Sequence, residues 1–389
     1  MGSVTSAVPP SLSAAKPSMV IVCQPPLVLC VLCTNCSVSK KSIEFPCRRV
    51  NRQARGLFPR SCQSVRRGVY LSRILGEKEG GSALFRNIPQ SDLWTEIDPV
   101  PEGLPGDETF HVSGPGGECL LRISPEDLRE RRLREYAAMR ALAPLALNIP
   151  RALDFGDCQG GVYTLSSWVE GRPAQELLPS LPTSQQREIG RQAGEILRAM
   201  HTVPAPLAPE WAEAYGRRMT ARIEAYRAGS ARIPACDEFA AYALGHAALL
   251  SGRPSTFQHG GYSVCSMVLD ASFRLGITGF DRMDYGDPWE EFHCLPESVA
   301  CSPAFSRALL RAYFQGEPPA GFWPLLALYV AVDQIPALPG SVPLGRPASA
   351  ESLQQQAGQV RAWYGEAYGA SIPNWYAQEA IDEANHAER

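Results

Sequence analysis

The chain has 389 residues, 45% of them hydrophobic and 20% charged, and a net charge of −3. That usage is ordinary for a globular protein, and the length allows two or three domain-sized units. A disulfide-stapled mini-protein, a collagen-like chain and a wholly disordered chain are excluded, and the charge singles out no partner.

Residues 1–83 read as a disordered basic extension rich in Cys, Ser and Arg. Within residues 1–75, eleven Lys or Arg face the single acid Glu44, and six of the twelve cysteines fall by Cys62. No lysine follows Lys78. Ser-rich, Arg-rich and acid-poor composition suits an organelle transit peptide as well as an unstructured tail, and the tail is the reading adopted. Cys30, Cys33 and Cys36 form a C-x-x-C-x-x-C run, with Cys47 further on; such thiolates can wrap zinc or an iron–sulfur cluster. The run has no strand or helix around it to fix a fourth ligand, so no bound metal is expected. No stretch approaches the roughly 20 apolar residues that cross a bilayer, since Met19 to Cys33 is broken by Pro25 and Pro26. The expected location is cytoplasmic, with no membrane partner.

Beyond the extension the pattern becomes regular. Thr109–Val112 and Glu118–Ser124 read as strands joined by the turn Ser113–Gly117. A helix follows, with Ser124 as N-cap, Pro125 at the first helical position and Asp127 in the first turn. Its spacing places Leu128, Glu135, Met139 and Leu142 on one face. A carboxylate in line with an apolar stripe needs a basic partner, and the strand residue Arg122 is the natural one. Gly161–Trp168 is another strand. Thr183 and Gln186 form a T-x-x-Q capping box before a helix that aligns Ile189, Ala193, Ile196, Leu197 and Met200. Met267–Asp270 and Arg274–Thr278 form a short hairpin, and Ala304–Phe314 and Phe322–Val332 are apolar helices. A β-rich part with one helix therefore precedes a mainly helical part, which is an α+β arrangement in two lobes.

Other constellations resolve to structure. Without lysine after Lys78 there is no Schiff-base lysine. His201 and His259 have no ligand partners at metal spacing, and hydrogen-bonded histidines are expected. Cys265 lacks a base and reads as a small buried hydrophobe. The arginines between Asp127 and Arg140 interleave with acids and read as a solvated face, so no nucleic-acid partner is expected.

Several stretches together carry a resemblance: Gly103-Leu-Pro-Gly-Asp-Glu-Thr-Phe110, Leu120-Leu-Arg-Ile-Ser124, Tyr163-Thr-Leu-Ser-Ser-Trp168, Gln258-His-Gly260 and Arg282-Met-Asp-Tyr-Gly-Asp-Pro-Trp-Glu-Glu-Phe292. In order and spacing, residues 84–376 resemble the aminoglycoside phosphotransferase-like enzymes, small-molecule kinases with the two-lobed protein-kinase fold. The resemblance implies a nucleotide-binding lobe over 84–168, a lobe over 169–376 with the substrate and catalytic loop, and a tail over 377–389. It implies ATP and Mg²⁺ as cofactors and a small hydroxyl compound as substrate. Gly103 and Gly106 would belong to the loop over the phosphates, which runs from Gly103 to Phe110. Arg122 would hold the phosphates and pair with Glu135, while Ser167 and Trp168 lie where adenine would be held. The physics of such a site is positioning and charge neutralisation.

The sequence departs from that pattern where the chemistry resides. After His259 and Gly260, the family's catalytic Asp position holds Gly261. The metal-binding Asn position holds Ser266, and the second metal position, an Asp, holds Gly279. Glycine has no side-chain oxygen, so it neither accepts a proton nor coordinates a cation. Ser266 keeps one neutral oxygen. Asp281, two residues past Gly279, is the candidate replacement ligand. The expectation is a weakened or inactive family member, a pseudoenzyme; the alternative is an active small-molecule kinase that uses Asp281.

Overall fold

Five strands pair antiparallel in the order β1-β2-β3-β5-β4: β1 (Glu96–Pro99), β2 (Glu108–Gly114), β3 (Gly117–Ser124), β4 (Ala152–Cys158) and β5 (Gly161–Ser167). The computed structural model describes residues 84–100, 106–206, 210–229, 232–336 and 350–387, all within one compact unit. Gly103 and the extension with its Cys30–Cys36 run lie outside the described residues. Period-two alternation sets the sheet's faces. Phe110, Val112, Leu121 and Ile123 turn to one side and pack with Phe85 and Ile88 in a cluster of their own. Arg122, paired in register with Thr109, takes the other side.

The rest is mainly helical. Helix α1 (Arg129–Leu142) links β3 to β4 and rests on β4 and β5. After β5 come β6 (Arg172–Pro173), α2 (Ala174–Leu177), α3 (Thr183–Met200), α4 (Trp211–Ala228) and α5 (Pro234–Gly245). Then follow β7 (Thr256–Gln258), β8 (Met267–Leu269), β9 (Leu275–Ile277) and β10 (Asp284–Gly286). Helices α6 (Leu295–Cys301), α7 (Pro303–Phe314), α8 (Phe322–Gln334), α9 (Ala350–Arg361) and α10 (Asn374–Ala387) complete the described chain. Strands β6, β8 and β9 form one small sheet, and β7 with β10 another. Helix α8 is apolar on nearly every side and almost entirely buried, so it forms the centre of the helical core. Helices α3 and α7 approach at glycines: a Cβ built on Gly190 or Gly194 would stand 2.2 Å from the carbonyl oxygen of Phe305 or Leu309.

Both expected helix caps are used differently. The helix after β3 begins with a 3₁₀ turn, Glu126–Leu128, and the Ser124 hydroxyl bonds Asp107 and Arg132 instead of a helical N–H. Thr183 is the first helical residue rather than the cap, with Pro182 before it. Gln186 donates to Leu181 O (2.8 Å) and accepts from the Ser302 hydroxyl (2.5 Å), tying α3 to the start of α7. Residue 376 lies in the first turn of α10, where Trp375 and Tyr376 are buried, Tyr376 beneath the Arg307 guanidinium and against Trp323. No described helix is long and apolar enough to cross a membrane.

Candidate functional site

An ionic cluster joins the sheet to α1. Glu135 is buried on the inner face of α1, and its closest partner is Arg132, one turn back and wholly buried. Arg132 Nη1 lies 2.5 Å from Glu135 Oε2, Nη2 lies 2.5 Å from Asp107 Oδ2, and Nε donates to Ser124 Oγ at 2.8 Å. Arg131 donates to Glu135 Oε1 (3.1 Å) and to the backbone carbonyl of Asp281 (2.7 Å). Arg122 faces the same two carboxylates from β3 but stands 3.8 Å from Asp107 Oδ2 and from Glu135 Oε2. Its Nε has no hydrogen-bond partner. The expected neighbourhood of Arg122 and Glu135 is present. The hydrogen bonds, however, come from Arg132 and Arg131, and Arg132 is not part of the solvated face assigned to it from sequence.

The loop expected to cover the phosphates is described only from Gly106 onward. A Cβ on Gly106 would stand 3.1 Å from Pro125 Cγ, so this end of the loop lies against the β3–α1 junction. Phe110, assigned to the loop, is instead in β2 with its ring in the sheet core. At the other edge, Ser167 N donates to Arg151 O (2.9 Å) and Ser167 Oγ accepts from Arg151 N (2.9 Å). Trp168 N donates to Glu118 O (2.9 Å), and its ring lies 4.2 Å from that of His111. These amides are committed to the sheet and its continuation.

The loop after β7 is held by one carboxylate. Glu291 is buried and accepts from His259 N (2.6 Å), Gly260 N (2.9 Å) and Tyr262 N (3.2 Å). Burial pushes its carboxyl upward, but His201, 4.0 Å away, together with His259 and His293, more than reverses this and holds it at about 2. Gly260 has φ of 78°, and a Cβ there would meet Arg282 O at 2.1 Å, so only glycine fits. His259 is wholly buried; its Nε2 lies 2.8 Å from Thr278 O, an acceptor, so the proton resides on Nε2. Nδ1 has no hydrogen-bond partner, and burial keeps the ring's pKa below its ordinary value.

Around this loop the three substituted positions converge. A Cβ on Gly261 would lie 4.0 Å from both Ser266 Oγ and His259 Nδ1, and 3.7 Å from Arg282 Cδ. A Cβ on Gly279 would lie 3.3 Å from Ser266 Oγ and 3.9 Å from Asp281 Oδ1. Ser266 Oγ donates to Gly261 O at 2.8 Å. Strand β9 stops at Ile277, and Phe280–Arg282 form a 3₁₀ turn, so Asp281 does not continue an extended face. Its carboxylate nevertheless lies beside Gly279.

The donor set does not suit Mg²⁺. The ion prefers near-ideal octahedral oxygen coordination anchored by carboxylates. Here two positions carry no side-chain oxygen and the third is a neutral hydroxyl already donating a hydrogen bond. Among the described residues no three His, Cys, Asp or Glu side chains gather at metal distance.

Of the neighbouring motif carboxylates, Asp287 is enclosed by the fold and Asp284 is not. Asp287, fully buried, accepts from Arg253 at 2.7 and 2.9 Å, from Tyr329 Oη at 2.6 Å and from Trp289 N at 3.0 Å. Asp284 is exposed, 3.8 Å from Arg218. His201 Nδ1 meets Tyr313 Oη at 2.8 Å. Cys265 is exposed rather than buried, because the 3₁₀ turn Val264–Ser266 points it outward to Gln175; partial desolvation pushes its thiol up to about 11. Sequence reading placed Arg131 and Arg132 on a solvated face and gave Glu291 no role beyond membership of the Arg282–Phe292 run. For Arg132 a clue existed, since it fits the stripe Leu128–Arg132–Glu135–Met139 at spacings of four, three and four.

Solved structures match the fold of this chain. An ADP and hygromycin B ternary complex of the aminoglycoside phosphotransferase APH(4)-Ia matches with TM-score 0.53 and 17% identity, over 72% of this chain and 97% of that one. ADP-bound APH(2'')-Ib matches with TM-score 0.50 and 16% identity, over 78% and 99%. A choline/ethanolamine kinase family protein from Mesorhizobium loti matches with TM-score 0.49 and 19% identity, over 65% and 81%. No curated protein sequence matches. The sheet, the helical lobe and the loop between them thus form the two-lobed kinase-like fold, and the profile of the phosphotransferase enzyme family matches residues 96–323, more than half of the chain, which therefore belongs to that family.

Proposed function

We propose that this family member binds a nucleotide but transfers phosphate to a small-molecule hydroxyl weakly or not at all. The convergence of Gly261, Ser266 and Gly279, with no carboxylate among them, carries the reading. A missing general base costs about 10²–10⁴-fold in rate, and a missing metal carboxylate removes several kcal/mol of charge stabilisation. The nucleotide half of the reading rests on Arg122, whose guanidinium is not consumed by the carboxylates beside it. It also draws on the family's ADP-bound structures. Residues 84–168 would take the nucleotide and residues 169–376 the small molecule, in the cytoplasm.

The test uses the full chain with γ-labelled ATP, excess magnesium and a panel of aminoglycosides and other polyols. Hydrolysis and transfer at background level are expected. Robust turnover that Gly261→Asp leaves unchanged would overturn the reading. One observation favours a second reading, an active kinase: the Asp281 carboxylate stands beside Gly279. In that case wild-type turnover is measurable and Asp281→Asn abolishes it.

A further inference from the structure

Cations gather close to the three positions that carry no carboxylate. Three guanidinium groups, Arg122, Arg131 and Arg132, face two carboxylates, Asp107 and Glu135. Arg132 makes close hydrogen bonds to both carboxylates, so their charge is largely met before Arg122 is reached. Arg122 is left 3.8 Å from each, with 14% of its side chain exposed and its Nε without a hydrogen bond. Arg131 donates to the Asp281 carbonyl, and the next residue, Arg282, runs past Gly261, its Cδ 3.7 Å from where a side chain would begin. A pair of aspartates at Gly261 and Gly279 would set a negative field that draws in a divalent cation. Glycines there leave Asp281 beside Gly279 and Arg282 beside Gly261, a field less negative than a pair of aspartates would set.

Resting on the proposal that the protein takes a nucleotide, we infer that it binds the nucleoside triphosphate as the free polyanion, without magnesium, through Arg122. A guanidinium is always charged and meets phosphate oxygens through two parallel N–H groups, so it can neutralise phosphate directly. Magnesium then acts against binding. It cancels phosphate charge in solution, and among the described residues no three His, Cys, Asp or Glu side chains gather to hold the ion that arrives with the nucleotide. Nothing is transferred in this step; it is recognition alone.

Isothermal titration of the full chain with ATP, once in excess EDTA and once in excess magnesium chloride, tests this. Binding in EDTA should be several-fold tighter than with magnesium. Arg122→Gln should weaken metal-free binding by about tenfold or more, the worth of one charge-assisted hydrogen bond, and Arg122→Lys should restore part of it. The melting temperature of each variant separates lost affinity from lost fold. Binding that requires magnesium would overturn the inference and leave the nucleotide reading standing. No binding in either buffer would overturn both. Unchanged metal-free affinity in a folded Arg122→Gln protein would remove Arg122 from the site and sink the inference.

Discussion

Arg132 and Glu135 sit one turn apart on α1 with 2.5 Å between Nη1 and Oε2, both buried, while Arg122 reaches the same oxygen only to 3.8 Å. The helix therefore supplies its own counter-charge and ties itself through Asp107 to the residues just before β2. Breaking a buried pair leaves a carboxylate uncompensated, so Arg132→Ala should cost about 3–5 kcal/mol. Arg122→Ala should cost less than about 1.5 kcal/mol, because no hydrogen bond is lost. Urea denaturation of both variants at neutral pH checks the order. Equal costs would mean that Arg122 is the structural partner after all.

Glu291 makes a pH prediction. Its folded carboxyl titrates near 2, against an ordinary value of 4.5. A depressed folded pKa contributes stability that is fully present above the unfolded value and is lost as pH falls toward the folded one. The loss should fall between about pH 5 and pH 2 and amount to about 3 kcal/mol. Glu291→Gln should lower stability at pH 7 by about 2–4 kcal/mol, because an amide nitrogen then faces backbone N–H donors. The variant should also lose most of the acid-limb slope. Denaturant midpoints measured across that range test both; a variant with the parental slope would exclude Glu291 as its source.

The α3–α7 crossing sets two effects against each other. Gly194→Ala in a helix gains about 1 kcal/mol of intrinsic propensity. Here the added methyl would stand 2.2 Å from Leu309 O, a backbone atom that cannot rotate away. Overpacking of this kind costs typically about 1–3 kcal/mol, and moving two helices lies at its upper end. The net change should be destabilising, and a raised melting temperature for Gly194→Ala would refute the close approach.

What could be read from sequence was set by local physics. The strands around Phe110 and Leu121, the α3 face through Ile189 and Leu197, and the β8–β9 hairpin all follow from periodicity, which burial enforces directly. The convergence of Gly261, Ser266 and Gly279 was legible only through the family resemblance, because they are brought together by a loop and a turn. The misreadings concern polar side chains with a choice of partners. Ser124 and Gln186 match helix-cap patterns, yet the Ser124 hydroxyl donates to Asp107 and the Gln186 carboxamide oxygen accepts from Ser302, each distant in sequence. Arg132 lies in a run of charged residues that looks solvated, and only its partners on other elements reveal the burial.

The last prediction concerns restoration. Gly261→Asp meets no obstacle, since its Cβ would have neighbours no nearer than 3.7 Å. Gly279→Asp is different: the backbone there has φ of 77°, left-handed, and Ser266 Oγ would stand 3.3 Å from the new Cβ. Aspartate tolerates that conformation better than most residues, at a cost of order 1 kcal/mol. Replacing Ser266 by Asn exchanges the crowding hydroxyl for a carboxamide and supplies a further metal oxygen. The triple variant Gly261→Asp, Ser266→Asn, Gly279→Asp should therefore melt slightly below the parent. It should also turn over ATP in a magnesium-dependent manner, with Gly261→Asp alone giving little because residues that act as a unit are non-additive. Its nucleotide binding should shift from favouring EDTA to requiring magnesium, since two new carboxylates add negative charge and oxygen ligands there. A triple variant that folds and binds ATP with magnesium, yet shows no turnover with any hydroxyl acceptor or water, would mean that the losses extend beyond these three positions.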